Sequence, residues 1–116
     1  MGFAILGEVI ARVSGKSTAE FLREEFFDPL GMNDTALGVP EEWYGGPQPK
    51  VERIAEIRLP PNQHDADDWN WNSRYWRGLG APWGGLLTTP ADLAKFTQML
   101  MSHGVDRKST RPNSRP

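Results

Sequence analysis

Trp83-Gly84-Gly85-Leu86-Leu87-Thr88-Thr89-Pro90-Ala91-Asp92-Leu93-Ala94-Lys95-Phe96 runs from a glycine turn into a helix start. Thr89 is placed to cap, Pro90 suits the first helical position, and Asp92 falls in the first turn, where the positive end of the helix dipole favours a carboxylate. Leu93, Phe96 and Leu100 continue an apolar face at helical spacing, and Gly104 offers a stop. The pair Gly84-Gly85 leaves the backbone free of Cβ atoms just before that helix, so chain or ligand can approach closely there.

Upstream, Leu6, Val9, Ile10 and Val13 recur at i, i+3, i+4 and i+7, joined by Phe3, which predicts an amphipathic helix over residues 1–14. Gly15 follows as its stop. Ser17-Thr18-Ala19-Glu20 fits a capping box that opens a second helix containing Phe21, Leu22 and Phe26, bounded by Pro29 and Gly31. The first helix enters its apolar period at Met1-Gly2-Phe3 with no capping side chain. Between Asn33 and Gly80 the chain is rich in Pro, Gly, Asn and Asp, which predicts a long loop, with a strand or a helical turn near Val51 to Leu59. Trp43, Tyr44, Trp69, Trp71, Tyr75, Trp76 and Trp83 lie in or beside this loop, and a disordered segment is poor in aromatics, so the loop is expected to fold over something. The fold class on this reading is mainly α with a long loop.

Composition narrows the function. With 12 glycines and 10 prolines in 116 residues and 24% charged residues, the chain reads as a loop-rich globular domain. A net charge of −2 and the lack of a basic, aromatic-interleaved stripe argue against nucleic acid as a partner. No apolar run approaches the roughly 20 residues that cross a bilayer. The absence of cysteine removes thiolate metal sites and cysteine nucleophiles. Four of the 13 basic residues fall within residues 107–116, which hold no apolar side chain and are expected to be disordered. The string Arg107-Lys108-Ser109-Thr110-Arg111-Pro112-Asn113-Ser114 looks like translated linker, so the tail reads as foreign to the domain.

A serine nucleophile needs a base placed to take its proton, and Ser-x-x-Lys on a helix meets that need by setting the amine one turn from the hydroxyl. The 116 residues contain neither Ser-x-x-Lys nor Gly-x-Ser-x-Gly. Catalytic residues within the chain are therefore expected to be none. His64-Asp65-Ala66-Asp67-Asp68 offers metal-ligand chemistry but no recognised metal-loop spacing, so the cluster reads as solvated surface, and His103 reads as a dipole partner at a helix end. No metal or cofactor is expected. Trp69-Asn70-Trp71-Asn72-Ser73-Arg74-Tyr75-Trp76 alternates flat and hydrogen-bonding side chains, as a surface that stacks planar or sugar-like ligands would, or as a small core pinning the loop would. A stand-alone carbohydrate- or peptide-binding module is the second functional reading.

In order and separation, Gly2-Phe3-x-x-Leu6-Gly7-Glu8-Val9-Ile10, Asp28-Pro29-Leu30-Gly31-Met32-x-Asp34-Thr35 and Trp83-Gly84-Gly85-Leu86-Leu87-Thr88-Thr89-Pro90-Ala91-Asp92-Leu93-Ala94-Lys95-Phe96 resemble the serine β-lactamase-like hydrolases. That group takes in class C β-lactamases, D-alanyl-D-alanine carboxypeptidases and related esterases. The resemblance covers residues 2–104. It implies that residues 1–106 are an interior part of the helical region of an α+β, transpeptidase-like fold, with Ser-x-x-Lys and Tyr-x-Asn upstream of Met1 and Lys-Thr-Gly or His-x-Gly downstream. It further implies that residues 43–85 wall a cleft, that Trp83, Gly84 and Gly85 border the acyl side of its pocket, and that the segment is inactive alone. Trp71, Tyr75 and Trp76 are candidate additional substrate contacts. The long aromatic insertion departs from typical class C β-lactamases, so an esterase or peptidase-like member fits equally. The implied partner is a small-molecule or peptidoglycan-like substrate, and the resemblance leaves periplasm, cell envelope and cytoplasm open.

Overall fold

A computed structural model of the chain describes residues 1–63 and 70–102. The expected readings at His64 to Asp68, Trp69, His103, Gly104 and the tail lie outside the described residues. Helix α1 spans Gly2–Ser14 and ends at Gly15 in the left-handed conformation, φ 71°. At its start Met1 supplies no side-chain cap, as the sequence implies. Helix α2, Thr18–Leu22, opens on Ser17, whose Oγ accepts from the Glu20 N–H at 3.2 Å, and it widens into a π-helical turn over Arg23–Phe27.

Two readings of helix faces are corrected by the structure. In α1 the stripe that packs inward is Ala4, Gly7 and Ile10, while Leu6, Val9 and Val13 remain exposed with Phe3. The reason is close approach: a Cβ at Gly7 would sit 2.6 Å from Pro82 Cγ, and Thr18 donates to the Gly7 carbonyl at 2.8 Å, so only a side-chain-free position lets α1 come this near its neighbours. Helix α4, Pro90–Met101, begins with Thr89 as cap and Pro90 at its first position, as read. Its buried stripe is Asp92, Phe96 and Met99, leaving Leu93 and Leu100 largely exposed. The helix is rotated to place a carboxylate inside, because that carboxylate holds the 34–35 segment.

The loop between the helices carries more local order than its composition suggests. Strand β1, Ala36–Leu37, pairs antiparallel with β2, Leu86–Leu87, in the register Ala36 with Leu87 and Leu37 with Leu86. Short 3₁₀ turns cover Glu41–Tyr44, Lys50–Arg53 and Pro61–Gln63, so the expected element near Val51 is a turn. A five-residue helix α3, Arg74–Gly78, starts at Ser73, whose hydroxyl accepts from the Trp76 N–H at 3.2 Å. The Arg74 guanidinium lies 3.8 Å above the Tyr44 ring and pairs with Glu41, tying α3 to the 41–44 turn.

The core is small: Phe27, Met32, Leu37, Val39, Trp43 and Met99 are buried. Phe26 links α2 to α4 by edge-on contacts with Phe21 and Phe96 at ring separations of 6.5 and 6.4 Å. At its centre Asp92, 4% exposed, accepts from the Asp34 N–H at 2.9 Å and from the Thr35 hydroxyl at 2.7 Å. A carboxylate only accepts, so the single Thr35 proton points to Asp92 and the Thr88 hydroxyl, 2.9 Å from Thr35 Oγ1, donates to Thr35. This chain of hydrogen bonds joins the 34–35 segment to residues 88–92.

Removing the acceptor strands a backbone N–H and a hydroxyl, each costing on the order of 1–3 kcal/mol. Asp92→Ala is therefore expected to lower stability by about 3 kcal/mol, read from the urea midpoint of tryptophan fluorescence. Lys95→Ala, which removes an ammonium 3.6 Å from Asp92 on the exposed side, should cost under about 1 kcal/mol. Equal losses in the two variants would refute the central place given to Asp92.

Candidate functional site

The turn Ala81–Gly85 is built on glycine contacts. Gly38 and Gly80 adopt φ 79° and 63°, and a Cβ at Gly38 would lie 2.9 Å from Gly80 Cα, so the two backbones touch directly. Gly38 donates to the Gly85 carbonyl at 2.9 Å, Val39 donates to the Arg77 carbonyl at 2.8 Å, and Gly85 donates to the Ala81 carbonyl at 2.7 Å. The β1–β2 ladder thus continues past β1 into α3 and the 81–85 turn. The two adjacent glycines differ in kind. A Cβ on Gly85 would meet Ala81 N at 2.6 Å, so this glycine is required by chain packing, whereas a Cβ on Gly84 meets nothing within 4 Å.

In front of this turn lies a cavity of about 760 Å³, within the range of small-molecule sites. Trp71, Trp76, Trp83, Gly84 and Gly85 all line it, so five of the six sequence-predicted contact residues meet at one place. Tyr75 does not line it. Tyr75 and Trp76 are consecutive in α3 and point about 100° apart around the helix, so one of them turns away. Trp83 is the most open of the three tryptophans, 67% exposed against 36% for Trp71 and 42% for Trp76.

Five further lining residues were not named as individual contacts in the sequence, although all but Asp34 fall within the 43–85 stretch. Trp43, Asp34, Lys50 and Arg53 come from the 32–35 segment and the two turns at 41–44 and 50–53, and Arg77 enters from α3. The signal was available in part, since Asp34 belongs to the Gly31-Met32-x-Asp34-Thr35 string and Lys50 and Arg53 are spaced one turn apart. Arg53 donates to Asp34 Oδ1 at 2.7 Å, with Lys50 Nζ 3.5 Å from the same oxygen, and Lys50 also donates to the Asn33 carbonyl at 2.6 Å. The Lys50 ammonium stands 5.5 Å over the Trp43 ring. Hydrogen bonding from Arg53, with the charges of Arg53 and Lys50, holds the Asp34 carboxyl below its ordinary value against the opposing effect of burial.

Asn72 closes the far edge by pairing with Ile57 in both directions: its Oδ1 accepts from the Ile57 N–H and its Nδ2 donates to the Ile57 carbonyl, each at 2.7 Å. The side chain acts as one rung of a strand and fixes the 54–57 segment against the start of α3. Its amide is thereby committed to backbone. Among the described residues no cluster of three His, Asp or Glu side chains could hold a metal ion, and no helix is long and apolar enough to cross a membrane.

Comparison with known proteins agrees with this architecture. The Beta-lactamase family model matches residues 1–116, and the chain belongs to that family of β-lactamase-like hydrolases. Penicillin-binding protein 4 of Amycolatopsis lactamdurans is 30% identical over 110 residues, which are 95% of this chain and 27% of that protein. The probable hydrolase clz13 of Cochliobolus lunatus is 28% identical over 102 residues, 14% of its length. The D-amino acid amidase of Ochrobactrum anthropi SV3, solved with L-phenylalanine amide, superposes with a TM-score of 0.61 at 32% identity, covering 92% of this chain and 30% of the amidase. The chain thus spans less than a third of each of these relatives.

Two outcomes follow for the site. Because the folded Asp34 carboxyl titrates below its ordinary value of 3.8, its contribution to stability is full above that value and is lost as pH falls through the lower folded value. Asp34→Asn should therefore flatten part of the acid limb of a stability-versus-pH curve below about pH 4, leaving neutral-pH behaviour with only the modest loss of a partly exposed pair. An unchanged acid limb would contradict this. Separately, Gly85→Ala should destabilise the chain or shift the emission of Trp83, while Gly84→Ala should leave both near the parent values.

Proposed function

We propose that this chain forms the helical layer and the acyl-side wall of a serine hydrolase cleft, the hydrolase working through an acyl-enzyme on a β-lactam, D-alanyl peptide, amide or ester carbonyl. The observation that carries the reading is the convergence of Trp71, Trp76, Trp83 and the Gly84-Gly85 backbone on one cavity directly ahead of the motif that caps α4. An acyl group needs an apolar surface that orients it without reacting, and flat indoles beside unsubstituted backbone provide one.

On this reading the attacking serine, the lysine and tyrosine that move protons, and the N–H groups that stabilise the oxyanion come from parts of the hydrolase other than these 116 residues. Two observations support that division. The sequence holds no Ser-x-x-Lys, and α1 presents Phe3, Leu6, Val9 and Val13 outward, an apolar stripe suited to a further layer of protein. The matched relatives, more than three times longer than this chain, have the length for such a layer. The amidase was solved with an amino acid amide, which brings amide carbonyls into the candidate substrate class alongside lactams and esters. The binding-module alternative is weakened by Asn72, whose amide is engaged by Ile57 rather than presented to a sugar.

The test is hydrolysis of an activated aryl ester, a chromogenic β-lactam and a D-amino acid amide. The 116-residue chain is expected to give no turnover above buffer, whereas a longer chain that includes Ser-x-x-Lys is expected to turn over at least one of them with a mass increase on that serine. In the longer chain Trp83→Ala should raise KM severalfold with a smaller change in kcat, as loss of a binding surface does. Turnover by the 116-residue chain that disappears when one of its own side chains is changed would sink the proposal.

A further inference from the structure

The charges around the cavity do not balance. Among the described residues, Lys50, Arg53 and Arg77 line it with a single carboxylate, Asp34, a formal excess of two positive charges beside the tryptophans. Lys50 and Arg53 share Asp34 between them. Arg77 differs. It is half-buried, and among the described residues its side chain makes a 3.5 Å approach of Nη2 to Asn72 Oδ1, at the limit of a hydrogen bond and to an oxygen already accepting from Ile57 at 2.7 Å. Among the described residues no carboxylate lies within ion-pairing distance of Arg77. A guanidinium offers five N–H donors in a planar fork, and most of these meet no protein acceptor among the described residues.

The position of Arg77 is fixed from its own backbone. Its carbonyl accepts from Val39 at 2.8 Å and its N–H donates to the Ser73 carbonyl at 3.0 Å, which anchors it between β1 and the start of α3. It follows Trp76 in the chain, and both residues line the cavity. A cation held in place next to an indole surface, partly removed from water and without an ionic partner among the described residues, favours a ligand that brings both a flat apolar body and an anion.

Resting on the reading of this cavity as the acyl side of the cleft, we propose that the cavity selects acyl groups that carry a terminal carboxylate on an aromatic or bulky apolar body, the carboxylate docking on Arg77. Lys50 and Arg53 add a favourable field at the rim while remaining engaged with Asp34. The site thereby discriminates between substrates whose reacting carbonyls are alike and whose remote ends differ in charge.

Binding of non-reacting probes tests this without any need for turnover. Tryptophan fluorescence of the chain is titrated with 4-phenylbutanoate, with the isosteric neutral 4-phenylbutanamide, and with glutarate, which has carboxylates and no ring. The expected result is that 4-phenylbutanoate binds about tenfold more tightly than its amide, as a charge-assisted contact gives, that added salt narrows the gap, and that glutarate binds more weakly than either. Arg77→Met keeps the apolar stem and should abolish the preference for acid over amide, while Arg77→Lys, which keeps the charge and loses the fork, should retain a reduced preference. Amide binding equal to that of the acid, or an acid preference that survives Arg77→Met, overturns the proposal whatever the ester assay shows. An acid preference that depends on Arg77, together with absence of turnover by the longer chain, overturns only the hydrolase reading.

Discussion

One buried carboxylate holds this structure together. Asp92 sits in the first turn of α4, where the helix dipole favours it, and spends its outward oxygen on the backbone of Asp34 and the hydroxyl of Thr35. Those partners lie 58 and 57 positions away in sequence. A salt-screened surface pair could not span such a separation with useful energy, but a nearly solvent-free carboxylate with two hydrogen-bond donors can, because any movement that breaks the contacts leaves polar groups dry and unsatisfied. Through Asp34 the same contact reaches Arg53 and Lys50, and through Thr35 and Thr88 it reaches the start of α4, so the floor and rim of the cavity share one anchor.

The second constraint is the absence of side chains where backbones meet. Gly7 under Pro82, Gly38 on Gly80, and Gly85 on Ala81 form a line of close approaches that brings α1, β1 and the 81–85 turn into contact. The core proper is modest, and no large side chain in it is fully enclosed. Backbone pairing and one polar network therefore carry more of the specificity here than apolar packing does. Trp71, Trp76 and Trp83 stand outside that core, each more than a third exposed.

Much was legible beforehand in the local chemistry. Caps at Ser17 and Thr89, the left-handed stop at Gly15 and the proline at the head of α4 are settled within a few residues, and the structure realises each of them. That Trp71, Trp76 and Trp83 meet Gly84 and Gly85 was an expectation carried by the family resemblance, since nothing in their spacing says that they share a cavity. Helix faces were less legible. The apolar periods of α1 and α4 name stripes of which only Ile10 and Phe96 turn inward, because the stripe that packs is chosen by a glycine contact in one case and a buried carboxylate in the other. Helix α3 escaped the reading because five residues are too short to show a period, and the Lys50–Arg53 rim escaped it because its partner, Asp34, is distant in the chain.

The chain's own order of residues thus determined where helices begin and end, which turns need glycine, and, through three ordered motifs, the hydrolase family. Tertiary structure alone decided which helix faces are inside, that Tyr75 stands apart while Trp76 lines the cavity, and that no carboxylate among the described residues pairs with Arg77. The physical reason is range. Capping and turn preferences are satisfied by neighbours within one helical turn, whereas burial and ion pairing depend on which distant segment arrives, and that is fixed only when the whole set of contacts is made together.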